Sequence, residues 1–291
     1  MDPLPSLDVF GRSRREGRRL VLVTAYDATG ARLAAAGGVD ALLVGDSLGQ
    51  VVLGHGSTLP VTMADMLHHA RAVARARTGL PVIVDLPYGA FHLAPRETAR
   101  NGIRLVQAAR AQAVKLEGGR RRADHIAALL DAEIPVMGHL GLTPQSIQRF
   151  GGYKVQGRDE PAAERLLEDA QFLAEAGCFA LVLECIPAGL AAQVTATVPI
   201  PTIGIGAGPD CDGQVLVAHD LLGLSGDFRP RFVKRYAELG QAASAAIASF
   251  AAEVRAGTFP TPDHAYGAGR RAEAAAGPDA VSRADAAPGD D

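Results

Sequence analysis

Seven apolar runs punctuate the chain, and each stops at a polar residue or a glycine: LVLVTAYD at Asp27, ALLVGD at Asp46, PVIVD at Asp85, AVKLE at Glu117, IPVMGH at His139, FALVLE at Glu184 and PTIGIG at Gly206. Short unbroken runs of β-forming residues predict strands buried on both faces. Stretches of helical period separate most of them, and this alternation predicts a parallel sheet. Helices are expected at 28–36, over MADMLHHARAVARAR before the third strand, and at 95–111, 121–132, 161–176 and 187–197. An eighth, weaker strand is expected near Leu221 to Leu224. Beyond it Phe232, Val233, Tyr236, Leu239, Ala243, Ala246, Ile247, Phe250 and Val254 recur at helical spacing, which predicts one long amphipathic helix over 231–255 that closes the domain.

The expected architecture is α/β, a (β/α)8 TIM barrel with an N-terminal capping helix and a disordered C-terminal tail. Such barrels take about 250 residues, so one barrel over 19–257 accounts for the alternation better than two domains. Residues 1–18 carry a short helix, with Ser6 as N-cap and Leu7 and Phe10 as apolar contacts, placed to close the barrel. Residues 258–291 are poor in large apolar side chains from Ala265 onward and are expected to be disordered, because they bury too little surface to offset the entropy of ordering.

Composition narrows the partners. A net charge of -3 over 291 residues offers no attraction for a polyanion, so nucleic acid is not an expected partner. No apolar run approaches the roughly 18 residues of a membrane span, and the first residues lack the apolar core of a signal segment. Cys178, Cys185 and Cys211 form no CxxC pattern and leave an odd count, which fits a reducing compartment. A soluble cytoplasmic protein is expected.

In a parallel barrel the loops that follow the strands build the active face, so a polar residue at the end of an apolar run is a candidate for chemistry. Asp46, Asp85 and Glu117 end three consecutive runs and would be neighbours. Three converging carboxylates repel one another unless a cation or protons intervene, and oxygen-only ligands favour a hard ion such as Mg²⁺. Any one of them could instead cap a helix or pair with an arginine. Lys115 lies two residues before Glu117 and shares its strand face. It could bind a substrate carboxylate, form a Schiff base, or pair with a barrel acid.

Glu184 would stand across the mouth from the second and third strands. Its apolar context should raise its pKa and suit it to abstract a carbon-bound proton, the other reading being a structural salt bridge. His139 could donate to a developing oxyanion or be a satisfied core residue. His68 and His69 lie on the helix before the third strand, away from the expected face, and Asp27 is expected to make a structural hydrogen bond. GIGAGP at 204–209 misses the GxGxxG spacing because Pro209 stands at the third glycine. It could cradle a phosphate or form a tight turn where the backbone approaches a neighbour.

Ten blocks, read together, carry a family signature. They are TAYD at 24–27, VGDSLG at 44–49, LPVTMADM at 59–66, VDLPYG at 84–89, VKLEGG at 114–119, GHLGLTPQ at 138–145, GGYKVQGR at 151–158, LVLECIP at 181–187, IGIGAGPDCDGQVLV at 203–217 and HDLLGL at 219–224. In this order, over about residues 6–257, the chain resembles the ketopantoate (3-methyl-2-oxobutanoate) hydroxymethyltransferase family. The resemblance implies a (β/α)8 barrel that uses Mg²⁺ to move a one-carbon unit from the co-substrate 5,10-methylenetetrahydrofolate to 3-methyl-2-oxobutanoate, giving 2-dehydropantoate for pantothenate and coenzyme A synthesis. It implies Asp46 and Asp85 as metal ligands with Glu117 close by through water, and Glu184 as the base. Ser47 and Lys115 would hold the keto acid's carboxylate, with Asp46 and Asp85 also next to the substrate. It further implies a homo-oligomer, a decamer of two stacked pentamers. A carbon-carbon lyase or mutase of the phosphoenolpyruvate type, a Schiff-base aldolase through Lys115, and a barrel that binds a metabolite without turnover are the other readings of these residues.

Overall fold

Eight strands close on themselves in chain order in the computed structural model, which describes residues 5–226 and 230–266. They are β1 (Leu20–Thr24), β2 (Ala41–Val44), β3 (Val82–Asp85), β4 (Ala113–Glu117), β5 (Val136–Gly141), β6 (Ala180–Glu184), β7 (Thr202–Ile205) and β8 (Gly213–Leu216). Every pair is parallel, and β8 returns to β1 to complete the barrel. The predicted α/β barrel is therefore the observed fold.

The helices are α1 (Asp8–Arg15), α2 (Ala28–Ala36), α3 (Leu48–Val51), α4 (Met63–Ala74), α5 (Pro95–Ala109), α6 (Ala123–Asp131), α7 (Ile147–Phe150), α8 (Glu160–Glu175), α9 (Ala188–Thr197), α10 (Ala218–Leu221) and α11 (Leu239–Ala256). Their starts are written in local chemistry. Asp27 caps α2 by accepting from the Gly30 amide at 2.6 Å, as expected for a structural aspartate. Thr62 and Asp65 form a reciprocal capping box on α4, and Pro95 occupies the first turn of α5, where its missing N–H costs nothing.

The period-2 alternation of each strand divides the core in two. Leu42, Val44, Val84, Val114, Leu116, Leu181 and Leu183 point outward into the layer shared with the helices. Leu22, Leu43, Ile83, Ala113, Met137, Val182, Ile203 and Val215 point inward and fill the barrel. Phe10 of α1 is 1% exposed and belongs to this inner cluster, with Leu7 packed against it. The same alternation aims Asp85, Lys115, Glu117, His139 and Glu184 inward, one step above the apolar floor.

Three local expectations need correction. Leu221 to Leu224 is not a strand: β8 lies earlier, at Gly213–Leu216, where Gly213 lets its backbone press against Leu20, and 218–221 is the short helix α10. Leu7 rather than Ser6 precedes α1, although the Ser6 hydroxyl accepts from the Asp8 amide at 3.1 Å. The long helix begins at Leu239 rather than 231, because Phe232 packs instead against the backbone of Gly206.

Residues up to 238 form one compact unit and those from 239 onward a second. In the second unit α11 has no buried residue, and Ile247 and Phe250 are 67% and 53% exposed. It does not bury the apolar stripe that its periodicity predicts. A short 3-10 turn, Pro262–His264, follows it, and the remaining tail expectation, over 267–291, lies outside the described residues.

Candidate active site

A cavity of about 350 Å³ opens at the carboxyl ends of the strands, lined by Asp46, Ser47, Asp85, Lys115, Glu117, His139 and Glu184 together with the apolar floor. All seven residues singled out from the sequence thus reach one space. Register explains why. β3 and β4 pair Asp85 with Lys115, and β4 and β5 pair Glu117 with His139, so each inward side chain has its partner on the adjacent strand.

Asp85 is the hub. Its Oδ1 lies 3.2 Å from Lys115 Nζ, and its Oδ2 accepts from the Asp46 backbone amide at 3.1 Å. The Oδ1 contact is ionic and lacks hydrogen-bond alignment, leaving that buried oxygen without a directed donor. Lys115 also donates to His139 Nδ1 at 3.1 Å. Across the ring, His139 Nε2 stands 3.1 Å from Glu184 Oε2.

The electrostatics follow from burial against charge. Desolvation raises Asp46 to about 7, reinforced by the charge of Asp85 and opposed by Lys115 and Gln145. Desolvation also lifts Glu117 well above its ordinary range, with Asp46 adding to the effect. Glu184 is raised to about 7 by burial, with Lys115 pulling the other way. Burial disfavours the Lys115 ammonium, but Asp85, Glu117 and Asp46 outweigh it and its pKa is raised, so it is a fixed cation. Burial and Lys115 push His139 well below its usual value. A neutral ring whose Nδ1 accepts from lysine carries its proton on Nε2, the atom facing Glu184.

Sequence reasoning passed over two contributors. Gln145 is 5% exposed; its side-chain amide donates to Asp46 Oδ2 at 2.8 Å and to the Leu86 carbonyl at 2.9 Å, while its backbone amide donates to Glu117 Oε2 at 3.0 Å. One residue thus holds two acids that lie far apart in the chain. Tyr26 meets Ser47 Oγ at 2.9 Å through its hydroxyl. Both sit inside quoted motifs, but nothing local distinguishes them from turn residues.

Gly141, at φ +93°, is imposed by the site: a β-carbon there would lie 2.2 Å from the carbonyl oxygen of Glu184. The GIGAGP loop is a close-approach turn, with Phe232 seated on Gly206 and Ala188 on Gly208. His69 bonds the Tyr26 carbonyl at 2.7 Å, and neither His68 nor His69 lines the cavity.

The donor set fits a hard divalent cation. Asp46, Asp85 and Glu117 bring three buried carboxylates against one lysine, and Asp85 Oδ1 has no aligned donor. Among the described residues no three His, Cys, Asp or Glu side chains are grouped to hold a metal ion alone. Two carboxylates, completed by substrate and water oxygens, is the usual manner of Mg²⁺.

A closed parallel barrel whose strand ends deliver buried acids and a lysine to one cavity defines a TIM-barrel protein with an enzyme-like site. Solved structures agree on the fold: 2,3-dimethylmalate lyase superposes with a TM-score of 0.59 at 17% identity, covering 91% of each chain. A phosphonopyruvate hydrolase in complex with oxalate and Mg²⁺ gives 0.58 at 14% identity, over 90% of this chain and 92% of that one. The chain belongs to the ketopantoate hydroxymethyltransferase family, whose sequence model matches residues 6–262. It is 52% identical to 3-methyl-2-oxobutanoate hydroxymethyltransferase of Moorella thermoacetica, over 90% of this chain and 97% of that protein. The protein of the same description from Pelobacter propionicus is 54% identical, over 88% and 94%.

Proposed function

We propose that this chain transfers a one-carbon unit from 5,10-methylenetetrahydrofolate to 3-methyl-2-oxobutanoate, giving 2-dehydropantoate for pantothenate and coenzyme A synthesis in the cytoplasm. The observation that carries this reading is the meeting of Glu184, Lys115, Asp46 and Asp85 in one cavity of a chain that belongs to this family.

Asp46 and Asp85 would hold Mg²⁺, with Glu117 reaching it through water. The ion, when bound, supplies Lewis acidity to the oxygens of the keto acid. Lys115, a fixed cation held by Asp85, suits a substrate carboxylate, with Ser47 as a second donor oriented by Tyr26. Being protonated and paired, it is poorly suited to a Schiff base. Glu184 takes the proton from C3, for which a carboxyl raised to about 7 is matched at neutral pH. His139, its Nδ1 taken by Lys115, sets Nε2 3.1 Å from Glu184 Oε2 without hydrogen-bond alignment, which leaves that N–H beside the base and free to donate to a developing oxyanion. The resulting carbon nucleophile forms a bond to the folate-borne methylene, the carbon-nitrogen bonds to the folate break, and water supplies the hydroxyl oxygen. Loops 48–60 and 141–160, which contribute Gln50, Thr58, Tyr153 and Lys154 to the lining, would limit access of bulk water. The exposed apolar side chains of α11 support self-association, and a decamer is what the family resemblance implies.

The test is formation of 2-dehydropantoate from the two substrates with Mg²⁺, together with exchange of the C3 proton in D2O followed by NMR. Exchange that survives chelation, with an adduct on Lys115 trapped by borohydride, would overturn the reading.

A further inference from the structure

Asp220 of α10 lines the same cavity from the opposite chemical half. It is 9% exposed, and its neighbours in the lining include Leu216, Val217, Pro230 and Phe232. The Ser225 hydroxyl donates to its Oδ1 at 2.6 Å, which fixes the rotation of the carboxylate. Among the described residues no ion pair within salt-bridge distance reaches it, although the adjacent His219 feels its charge. Tyr26 feels the charge of both Asp220 and Asp85, which puts Asp220 within electrostatic reach of the acid cluster. The keto acid and the cation account for Asp46, Asp85, Lys115, Glu117 and Glu184, and leave Asp220 unused.

A buried carboxylate on an apolar wall, oriented and with no salt-bridge partner among the described residues, calls for a flat ligand with N–H donors along one edge. We infer that Asp220 is the anchor for the pterin ring of the folate, an assignment that rests on the reaction proposed above. The 2-amino-4-oxopyrimidine edge of a pterin presents N3–H and the 2-amino group side by side. That pair matches the two oxygens of one carboxylate, and Oδ1 keeps a lone pair for it beyond the Ser225 bond. Phe232, Leu216 and Val217 supply apolar surface for the ring faces. N5, which carries the methylene, lies on the other ring of the pterin, so a pyrimidine edge held at Asp220 leaves the transferable carbon turned away from α10 and into the cavity.

Asp220→Asn keeps the shape and one acceptor oxygen but loses the match to two donors. By calorimetry it should weaken tetrahydrofolate binding about tenfold or more while changing 3-methyl-2-oxobutanoate affinity by less than about twofold. An analogue with methyl in place of the 2-amino group should bind about tenfold more weakly than tetrahydrofolate to the wild type, and nearly as well as tetrahydrofolate to Asp220→Asn. Ser225→Ala should give a smaller loss, about two- to fivefold, confined to the folate. Unchanged tetrahydrofolate affinity in Asp220→Asn, equal loss for both ligands, or discrimination against the analogue that persists in the variant would overturn the assignment. Wild-type protein that binds tetrahydrofolate through Asp220 yet forms no 2-dehydropantoate would overturn the proposed reaction and leave the pterin site standing.

Discussion

Replacing Glu184 by glutamine separates the chemistry of the proposed base from the energetic cost of burying it. The side chain is 16% exposed and faces His139 Nε2 at 3.1 Å. Burial moves its carboxyl from 4.5 to about 7. At about 1.4 kcal/mol per pH unit, this difference corresponds to about 3 kcal/mol in favour of the neutral acid in the fold. The native state therefore holds this proton more tightly than the unfolded chain does. As pH rises from 4.5 past 7 the unfolded chain releases the proton first, and stability falls across that window. Glutamine stays neutral throughout and keeps the shape of the side chain beside the imidazole. In chelator, denaturant unfolding should find the variant and wild type alike near pH 5 and the variant more stable by up to about 3 kcal/mol near pH 8.5. Exchange at C3 of the keto acid should fall by about two to four orders of magnitude. In the wild type it should rise about tenfold per pH unit below 7 and level off above, since only the carboxylate accepts a proton. Exchange within tenfold of wild type would remove Glu184 from the base role. Equal stability at both pH values would refute the cost assigned to its burial.

Lys115→Met removes the buried ammonium amid Asp46, Asp85 and Glu117; kcat/KM for the keto acid should fall at least about a hundredfold, measured by steady-state kinetics, with loss of stability as the acids lose its charge. Gln145→Leu should cost about 1–3 kcal/mol in denaturant unfolding by stripping donors from Asp46 and the Leu86 carbonyl, and should weaken Mn²⁺ binding as measured by electron paramagnetic resonance. Wild-type affinity for Mn²⁺ would show that Asp46 needs no help from the amide. Gly141→Ala combines a left-handed backbone with an overlap on the Glu184 carbonyl, so a loss of about 2 kcal/mol or more is expected, with C3 exchange falling as Glu184 shifts.

Much of this molecule was legible in the chain because strand and helix propensities are local. Each of the seven apolar runs became a strand, and the residue that stopped the run became a side chain of the mouth wherever the alternation aimed it inward, as with Asp85, Glu117 and Glu184. The eighth strand is not legible in its own segment, because GQVL holds only two apolar residues around an exposed Gln214. It is a strand because β7 and β1 flank it, and neither neighbour is visible from the segment itself.

What the sequence by itself determined was the period of each segment, the caps that start the helices, and the kinds of chemical group at the strand ends. Closure of the barrel decided the rest. Only a parallel register could set Asp85 opposite Lys115, and only the fold could bring Gln145 to Asp46 across 99 positions or turn Asp220 into the cavity that holds Glu184. The reason is physical: propensity and capping act over a few residues, whereas desolvation, charge pairing and shared protons depend on distances that exist only once the chain has closed on itself.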